Sequence, residues 1–406
     1  MTNTNPEAAA TELLLDRLRA ARRARGLTQQ DVAERVGLAR TTIVAIEKGE
    51  RPIRPQELVE FARLYDRPVN ELLRPSPVPE DFVAQFRLRP GEAHHDDQLA
   101  QSVELLQELA DDYVELERVA GAPLPQRYPP EADISSLAPA AAGESLAATE
   151  RNRLGLGDAP VHHLRQMLEG DVGLRIFSLR LPSRVAGLFV ASASYGACIG
   201  INAGHPGERQ RWSLTHEYAH FLAQRSKTEV TALNGYRRVP SAERFADAFA
   251  ENFLLPASGV MRRYNEIRQS RRENVTPADL LHLADLFQVS LEALVRRLEN
   301  LDLLRPHTWD RLAKAGFRVG EAREMLELAA LPPDEELLPL RYRYLAVAAY
   351  LDGQVSEGQF ARLLRTDRTT ARKLAHQLSH RVRMDESGMT SDIEMGPIDV
   401  ADIANG

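Results

Sequence analysis

The chain lacks several features that mark particular classes of protein. Cys198 is the single cysteine among 406 residues, so no internal disulfide can form and a reducing compartment is expected. No apolar run reaches the roughly 18 residues of a membrane-spanning helix, and the N-terminus lacks the basic start and apolar core of a signal peptide. The net charge of −7 argues against general coating of nucleic acid but allows one local DNA-binding face. We therefore expect a cytoplasmic protein with no membrane partner.

From Leu13 to Leu73 the sequence predicts five short helices. Thr28 to Asp31 is a capping-box pattern that starts a helix turning at Gly37, and the next helix spans Arg40 to Glu47. Two helices joined by a short glycine-containing turn form a helix-turn-helix, whose second helix enters the major groove of DNA. Between residues 13 and 74, 13 Arg and Lys outnumber 9 Asp and Glu, which favours DNA binding over two alternatives, a protein-docking module and a module that has lost DNA binding.

This pattern resembles the Cro/repressor-type (XRE) helix-turn-helix over residues 27–49. The resemblance implies that Gln29 contacts a DNA phosphate and that Arg40, Thr41 and Thr42 face bases or backbone of a double-stranded operator. It also implies core positions at Val32, Ala33, Val36, Leu38, Ile43 and Ile46.

A second pattern lies in the middle of the chain, where His216, Glu217 and His220 form His-Glu-x-x-His. On a helix, residues four apart lie on one face, so the two imidazoles can hold one metal ion. Glu217 lies beside them and is placed to take a proton from a water molecule at the metal. Ser213 or Thr215 could cap the helix. The pentapeptide alone also fits a chance occurrence, so a third ligand decides the interpretation.

The third ligand is expected on a later helix that ends at Pro256. Glu243 and Asp247 lie one turn apart on one side of it, whereas Phe249 and Phe253 belong to the packed side. One carboxylate can ligate zinc while the other bonds the distal nitrogen of a histidine ligand and fixes its tautomer. Two histidines and one carboxylate leave the fourth position to water, as hydrolysis requires.

Three extended segments precede the metal-binding helix, at residues 174–179, 186–191 and 197–202. They are apolar and bounded by Pro, Gly and Ser, so they predict a small antiparallel sheet. The edge strand of such a sheet can hold an extended peptide across the metal. A small sheet followed by a metal-binding helix is therefore an order of elements typical of metallopeptidases.

Over residues 155–304 the chain resembles the ImmA/IrrE family of zinc metallopeptidases, on Ala159-Pro-Val and on the segments 209–220 and 243–256. The resemblance implies a Zn²⁺ site and the following roles: ligands His216, His220 and Glu243, general base Glu217, and ligand support by Asp247. Glu251 is the rival third ligand. The candidate donors to the developing oxyanion are Tyr236 and His205.

Other segments carry less chemistry. Asp97 to Val119 is amphipathic and is expected to serve packing or self-association into a homodimer, whereas residues 121–143 should be a linker. Residues 274–304 predict two helices with a packing role. The segment from Tyr350 to Leu374 fits either a further small helix-turn-helix or a helical accessory domain.

The predicted fold class is therefore mainly α and multidomain: an all-α head, an α+β zincin-like domain with a small antiparallel sheet, and a helical C-terminal domain. The predicted divisions are a helix-turn-helix domain at 1–75, a linker with an amphipathic helix at 76–144, a metallopeptidase domain at 145–305, an accessory domain at 306–383 and a disordered tail at 384–406.

The predicted function is that of a transcriptional regulator with a gluzincin-like zinc endopeptidase that cleaves a repressor-type protein. The alternative is a repressor or antitoxin whose zinc domain senses a signal or binds a toxin without cutting. A weaker alternative is self-cleavage in the linkers at 75–79 or 121–143.

Overall fold

The computed structural model describes residues 14–15, 17–19, 21–23, 25–65, 69–73, 97–192, 194–225, 229–232, 241–384 and 390–394. Contacts group the chain into two compact units, residues 1–81 and residues 82–406. Helices dominate the described part of both units, so the mainly α, multidomain class is confirmed.

The first unit is a bundle of short helices: α1 (Gln29–Val36), α2 (Arg40–Glu47), α3 (Pro55–Tyr65) and α4 (Val69–Leu72), preceded by helical residues between 14 and 23. Thr28 and Asp31 form the expected capping box, and Gly37 ends α1 with a φ of 72°. Val32, Ala33, Ile43 and Ile46 are buried in the core, and Val36 and Leu38 pack against it.

The second unit begins with the following elements: α5 (Asp97–Val119), α6 (Pro139–Arg153), α7 (Leu164–Met167), a π-helical turn (Leu168–Val172), β1 (Arg175–Leu179), β2 (Val185–Ser192), β3 (Gly196–Asn202), α8 (Gly207–Gln224), β4 (Glu229–Ala232) and α9 (Ser241–Leu254). It continues with α10 (Ala257–Ser270), α11 (Pro277–Phe287), α12 (Leu291–Asn300), α13 (Thr308–Lys314), α14 (Val319–Met325), α15 (Leu340–Leu351), α16 (Glu357–Leu363), α17 (Arg368–Ser379), β5 (His380–Met384) and β6 (Thr390–Glu394).

The sheet of the second unit is mixed, which corrects the expected antiparallel arrangement. Its strand order is β1-β3-β2-β4. Strand β2 is antiparallel to both β3 and β4, but β1 runs parallel to β3. The reason is topological: β3 folds back from β2 and inserts beside β1, so two reversals of direction bring β1 and β3 into the same direction.

Strands β1, β2 and β3 are buried on both faces. Ile176, Phe189 and Ile199 belong to the core that contains α8 and α9, whereas Leu188 and Cys198 belong to a second core formed with α5 and the C-terminal helices. Side chains alternate between the two faces because successive residues of a strand point in opposite directions. The apolar side of α5 is thus used for packing within the chain.

Two expectations about connecting segments differ from the structure. Residues 121–138, expected to be a linker, pack on the second unit: Ala132 N–H bonds Leu222 O at 2.8 Å, and the Tyr128 ring packs edge-on against Phe221. The composition predicts disorder from residue 384 onward, but β6 pairs with β5 as an antiparallel ribbon. Among the helices of the described residues, none is both long enough and apolar enough to cross a membrane.

Candidate metal centre and DNA-binding surface

Helix α8 carries the His-Glu-x-x-His motif well inside its length. It begins at Gly207, so Ser213 and Thr215 are not its caps. Their hydroxyls instead donate to the carbonyls of Arg209 and Arg211, one turn earlier, at 2.9 and 2.8 Å. Hydroxyl side chains inside a helix commonly bond in this way, because the preceding turn offers the nearest acceptor.

The structure brings His216, His220 and Glu243 into one cluster, whose ligand atoms all lie within 4.8 Å of one another. The Nε2 atoms of the two histidines are 3.1 Å apart, and Glu243 Oε2 lies 3.2 Å from His216 Nε2. Two ligands that each lie 2.0–2.1 Å from one tetrahedral zinc ion are separated by about 3.3 Å. Donor types and spacing therefore fit a divalent metal such as zinc.

Asp247 lies one turn after Glu243 on α9 and contacts the other side of the His216 ring. Its Oδ1 atom is 3.0 Å from His216 Nδ1, which leaves Nε2 directed at the cluster. Burial lowers the pKa of His216, but hydrogen bonds to Asp247 and Glu243 and the charge of Glu217 outweigh it, raising the pKa to about 10. The negative charge of the carboxylates around His216 therefore favours a cation at the cluster.

Glu217 is fully buried, and its carboxylate lies over strand β2. A Cβ atom built on Gly187 would stand 2.6 Å from Glu217 Oε1, so only glycine leaves room here. Next to this residue the pairing of β2 with β4 shifts register between Val185 and Gly187, as at a β-bulge. Sequence reasoning missed Gly187, although a glycine inside a strand is a signal of close approach.

Two of the other candidate residues, Glu251 and His205, bond to groups outside the cluster. Glu251 is engaged by Arg297 and Asn300, at 3.2 and 3.1 Å, and is not part of the cluster. The His205 ring contacts the carbonyl of Ser183 at 3.0 Å. The remaining oxyanion candidate, Tyr236, falls outside the described residues.

A buried polar contact fixes α8 against α6. The Tyr218 hydroxyl donates to the Glu150 carboxylate, which Arg153 also holds at 2.6 Å. Tyr218 also packs edge-on against Phe249 and Phe253 of α9. Tyr218, which lies next to Glu217 in the sequence, therefore holds both helices of the candidate site, α8 and α9.

In the first unit, the residues implied to contact DNA lie close together. Arg40 and Gln29 line one surface concavity with Arg22, and Thr41 follows Arg40 on the exposed start of α2, where Thr42 is half-buried. Gln29 donates to buried Glu47 at 2.8 Å, and Arg22 binds the same carboxylate with two nitrogens at 2.7 and 3.0 Å. Glu47, which sequence reasoning also missed, thus orients Gln29.

Two segments of the chain match family models. Residues 18–72 match the model described as a helix-turn-helix, and residues 169–299 match the model described as an IrrE N-terminal-like domain. No curated protein sequence matches the chain. The chain thus combines an XRE-type helix-turn-helix domain with an IrrE/ImmA-type domain of the metallopeptidase class, a combination that suggests a DNA-binding regulator with protease activity.

Proposed function

We propose that this protein is a DNA-binding regulator whose second unit is a zinc-dependent endopeptidase acting on a repressor-type protein. One observation carries the proposal: His216, His220 and Glu243 form a metal-sized cluster with Glu217 beside it and Asp247 behind it. Two histidines and one carboxylate are the ligand set of zinc enzymes that keep a fourth position for water. The helix-turn-helix unit supplies the link to transcription.

The chemistry follows from the positions of the side chains. When bound, zinc supplies Lewis acidity, which polarises a carbonyl group and lowers the pKa of water. The Glu217 carboxylate accepts the proton of the attacking water and delivers it to the leaving amine, as a general base and then a general acid. Asp247 keeps the proton of His216 on Nδ1, so that Nε2 stays available as a ligand.

Substitution of Glu217 by glutamine tests this assignment. Purified protein and the Glu217→Gln variant, both loaded with zinc, are incubated with candidate repressors, and the products are identified by mass spectrometry. We expect cleavage by the wild type and a loss of about 10²–10⁴-fold in the variant, the range of general-base catalysis. Equal cleavage by both proteins would refute the mechanism.

A second function is favoured by the burial of the motif. His216 is 5% exposed, and Glu217 and His220 are 0% exposed, so little of the motif is open to the peptide that a cleaving enzyme must admit. A zinc domain that senses a signal or binds a toxin without cutting needs no such access. Full biological activity of Glu217→Gln in complementation would favour this function, and mass spectrometry of zinc-loaded protein alone tests self-cleavage.

A further inference from the structure

The C-terminal part of the second unit contains a helix-turn-helix whose local structure repeats that of the first unit. Helices α16 and α17 are joined by the four residues 364–367. The two motifs have the same internal spacing, so that Ser356 corresponds to Thr28 and Arg368 corresponds to Arg40. Neither family match covers this segment.

Both motifs start with the same cap. The side chains of Thr28 and Ser356 each accept a hydrogen bond from the backbone N–H of the third helical residue. The side chain of that third residue, Asp31 in the first motif and Gln359 in the second, accepts a hydrogen bond from the backbone N–H of the capping residue. The two capping boxes occupy equivalent positions.

The turns are also equivalent. Gly37 and Arg365 both adopt the left-handed conformation, with φ angles of 72° and 53°. In each motif the following N–H bonds, at 3.0 Å, to the carbonyl of the buried alanine in the preceding helix, Ala33 or Ala361. Arginine at a left-handed position is uncommon, so the conformation is imposed by the motif rather than by the residue.

The second helix of each motif presents the same residues. The tripeptide Arg-Thr-Thr stands at residues 40–42 and again at 368–370. In α17 this tripeptide and Lys373 are exposed, whereas Ala371 and Ala375 are buried in the core. The outward face of α17 therefore has the chemistry expected of a helix that contacts phosphates and base edges.

The charge of this region suits a polyanion. From α16 through β5, seven Arg and Lys outnumber two Asp and Glu, in a chain whose net charge is −7. Arg362 and Arg365 are paired with Asp112 of α5. Arg368 and Lys373 are on the exposed face of α17, which concentrates positive charge where the first motif has Arg40.

The two acidic residues are engaged inside the motif. Glu357 is held by Arg372, whose Nε lies 2.7 Å from Glu357 Oε1. Asp367 caps α17 by accepting the first backbone N–H groups of that helix at 2.9 and 3.0 Å. The antiparallel ribbon β5–β6 follows α17 directly, and ribbons of this kind serve as DNA-contacting elements in other folds.

We propose that α17 is a second DNA-recognition helix, which binds double-stranded DNA through Arg368 and Lys373. The proposed function assigns DNA binding to the first unit alone, so this inference goes beyond it and does not depend on the metal centre.

The test uses the full-length protein and a labelled pool of short random-sequence duplex DNA, titrated by fluorescence anisotropy at several salt concentrations. Arg40→Glu disables the first motif, and Arg368→Glu with Lys373→Glu disables the second. The matched control reverses one lysine and one arginine elsewhere, exposed Lys314 and Arg318, so the net charge changes equally.

We expect Arg40→Glu to retain DNA binding, and the α17 double reversal in that background to lower affinity about tenfold or more. The salt slope should fall by about 0.9 for each phosphate that the variant no longer neutralises. All variants should unfold at the same temperature because the changed side chains are exposed; if a reversal lowers it, Arg368→Gln with Lys373→Gln replaces it.

Three results would overturn the proposal. The α17 variant could bind DNA as well as the control variant does. Arg40→Glu alone could abolish all binding to the duplex pool. The α17 variant could change only the sedimentation coefficient of the protein, which would assign this surface to a protein contact.

Discussion

Gly187 and Glu217 are in direct steric contact: a Cβ atom on Gly187 would lie 2.6 Å from Glu217 Oε1. Separations below about 3.0 Å are essentially never seen for real Cβ atoms, so one of the two groups would have to move. Strand β2 therefore sets the height of the carboxylate above the sheet.

Gly187→Ala should accordingly lower kcat while leaving the metal in place. A displaced general base forfeits part of its roughly 10²–10⁴-fold contribution, so we expect a loss of about tenfold or more. Zinc content, measured by atomic absorption, should stay at the wild-type value. The matched control is Gly200→Ala in β3, whose Cβ would meet only the flexible Leu179 side chain at close range. Equal losses of kcat in both variants would point to a general disturbance of the sheet.

Replacing the two glutamates of α9 one at a time should distinguish a metal ligand from a residue that only stabilises the fold. Glu243→Ala removes one of the three proposed ligands, and we expect zinc affinity to fall far more than in Glu251→Ala. The latter should retain zinc but lose thermal stability, because Glu251 accepts from buried Arg297. Competition with a chromophoric chelator measures the affinities. Zinc loss in Glu251→Ala but not in Glu243→Ala would reverse the assignment.

Asp247→Ala should weaken zinc binding by about 10–100-fold, the usual effect of removing a partner of a histidine ligand. The reason is that Nδ1 of His216 loses the acceptor that holds the ring. Asp247→Asn keeps an oxygen acceptor and should recover part of the affinity. Identical affinities for the wild type and the alanine variant would show that Asp247 does not orient the ring.

The first unit should lose stability in acid through Glu47. Burial raises the pKa of Glu47, but hydrogen bonds from Arg22 and Gln29 outweigh it and bring the pKa below its ordinary value of 4.5. A carboxylate whose pKa is lower in the folded protein than in the unfolded chain stabilises the fold at pH values above its unfolded-state pKa. This contribution is lost as the pH falls through the folded-state pKa. Amide hydrogen exchange in α2, corrected for intrinsic rates, should therefore rise below pH 4.5 more steeply than exchange in α9.

Glu47→Gln supplies the control for this pH effect. It should raise exchange in α2 at neutral pH, since a charge-assisted bond to Arg22 contributes about 1.5–3 kcal/mol. The rise of α2 exchange below pH 4.5 should also be smaller in this variant than in the wild type. If exchange in α2 of this variant still rises below pH 4.5 as steeply as in the wild type, other carboxylates of the first unit cause the rise.

Local spacing allowed most of the candidate site to be predicted from the sequence. His216 and His220 share a helical face, as do Glu243 and Asp247, because the helical repeat alone decides this. The helix-turn-helix could be predicted for the same reason: the cap at Thr28 and the left-handed Gly37 are local signals.

Relationships between distant segments could not be predicted in this way. The parallel pairing of β1 with β3, the short strand β4 and the closeness of Gly187 to Glu217 all depend on how the strands are ordered. Tyr128 lies in a proline-rich stretch that predicts a linker, yet its ring packs on Phe221. Tertiary packing outweighs local composition at these positions.

Burial of both faces of the sheet has a thermodynamic consequence. Gly187 lies under Glu217, and its neighbour Leu188 packs into the core shared with α15, α16 and α17. The candidate metal centre therefore lies on one face of the sheet, and the core that contains Ala371 and Ala375 of the proposed DNA-binding helix lies on the other face. Any influence of DNA on zinc affinity must be matched by an equal influence of zinc on DNA affinity, since coupling between two binding sites is reciprocal.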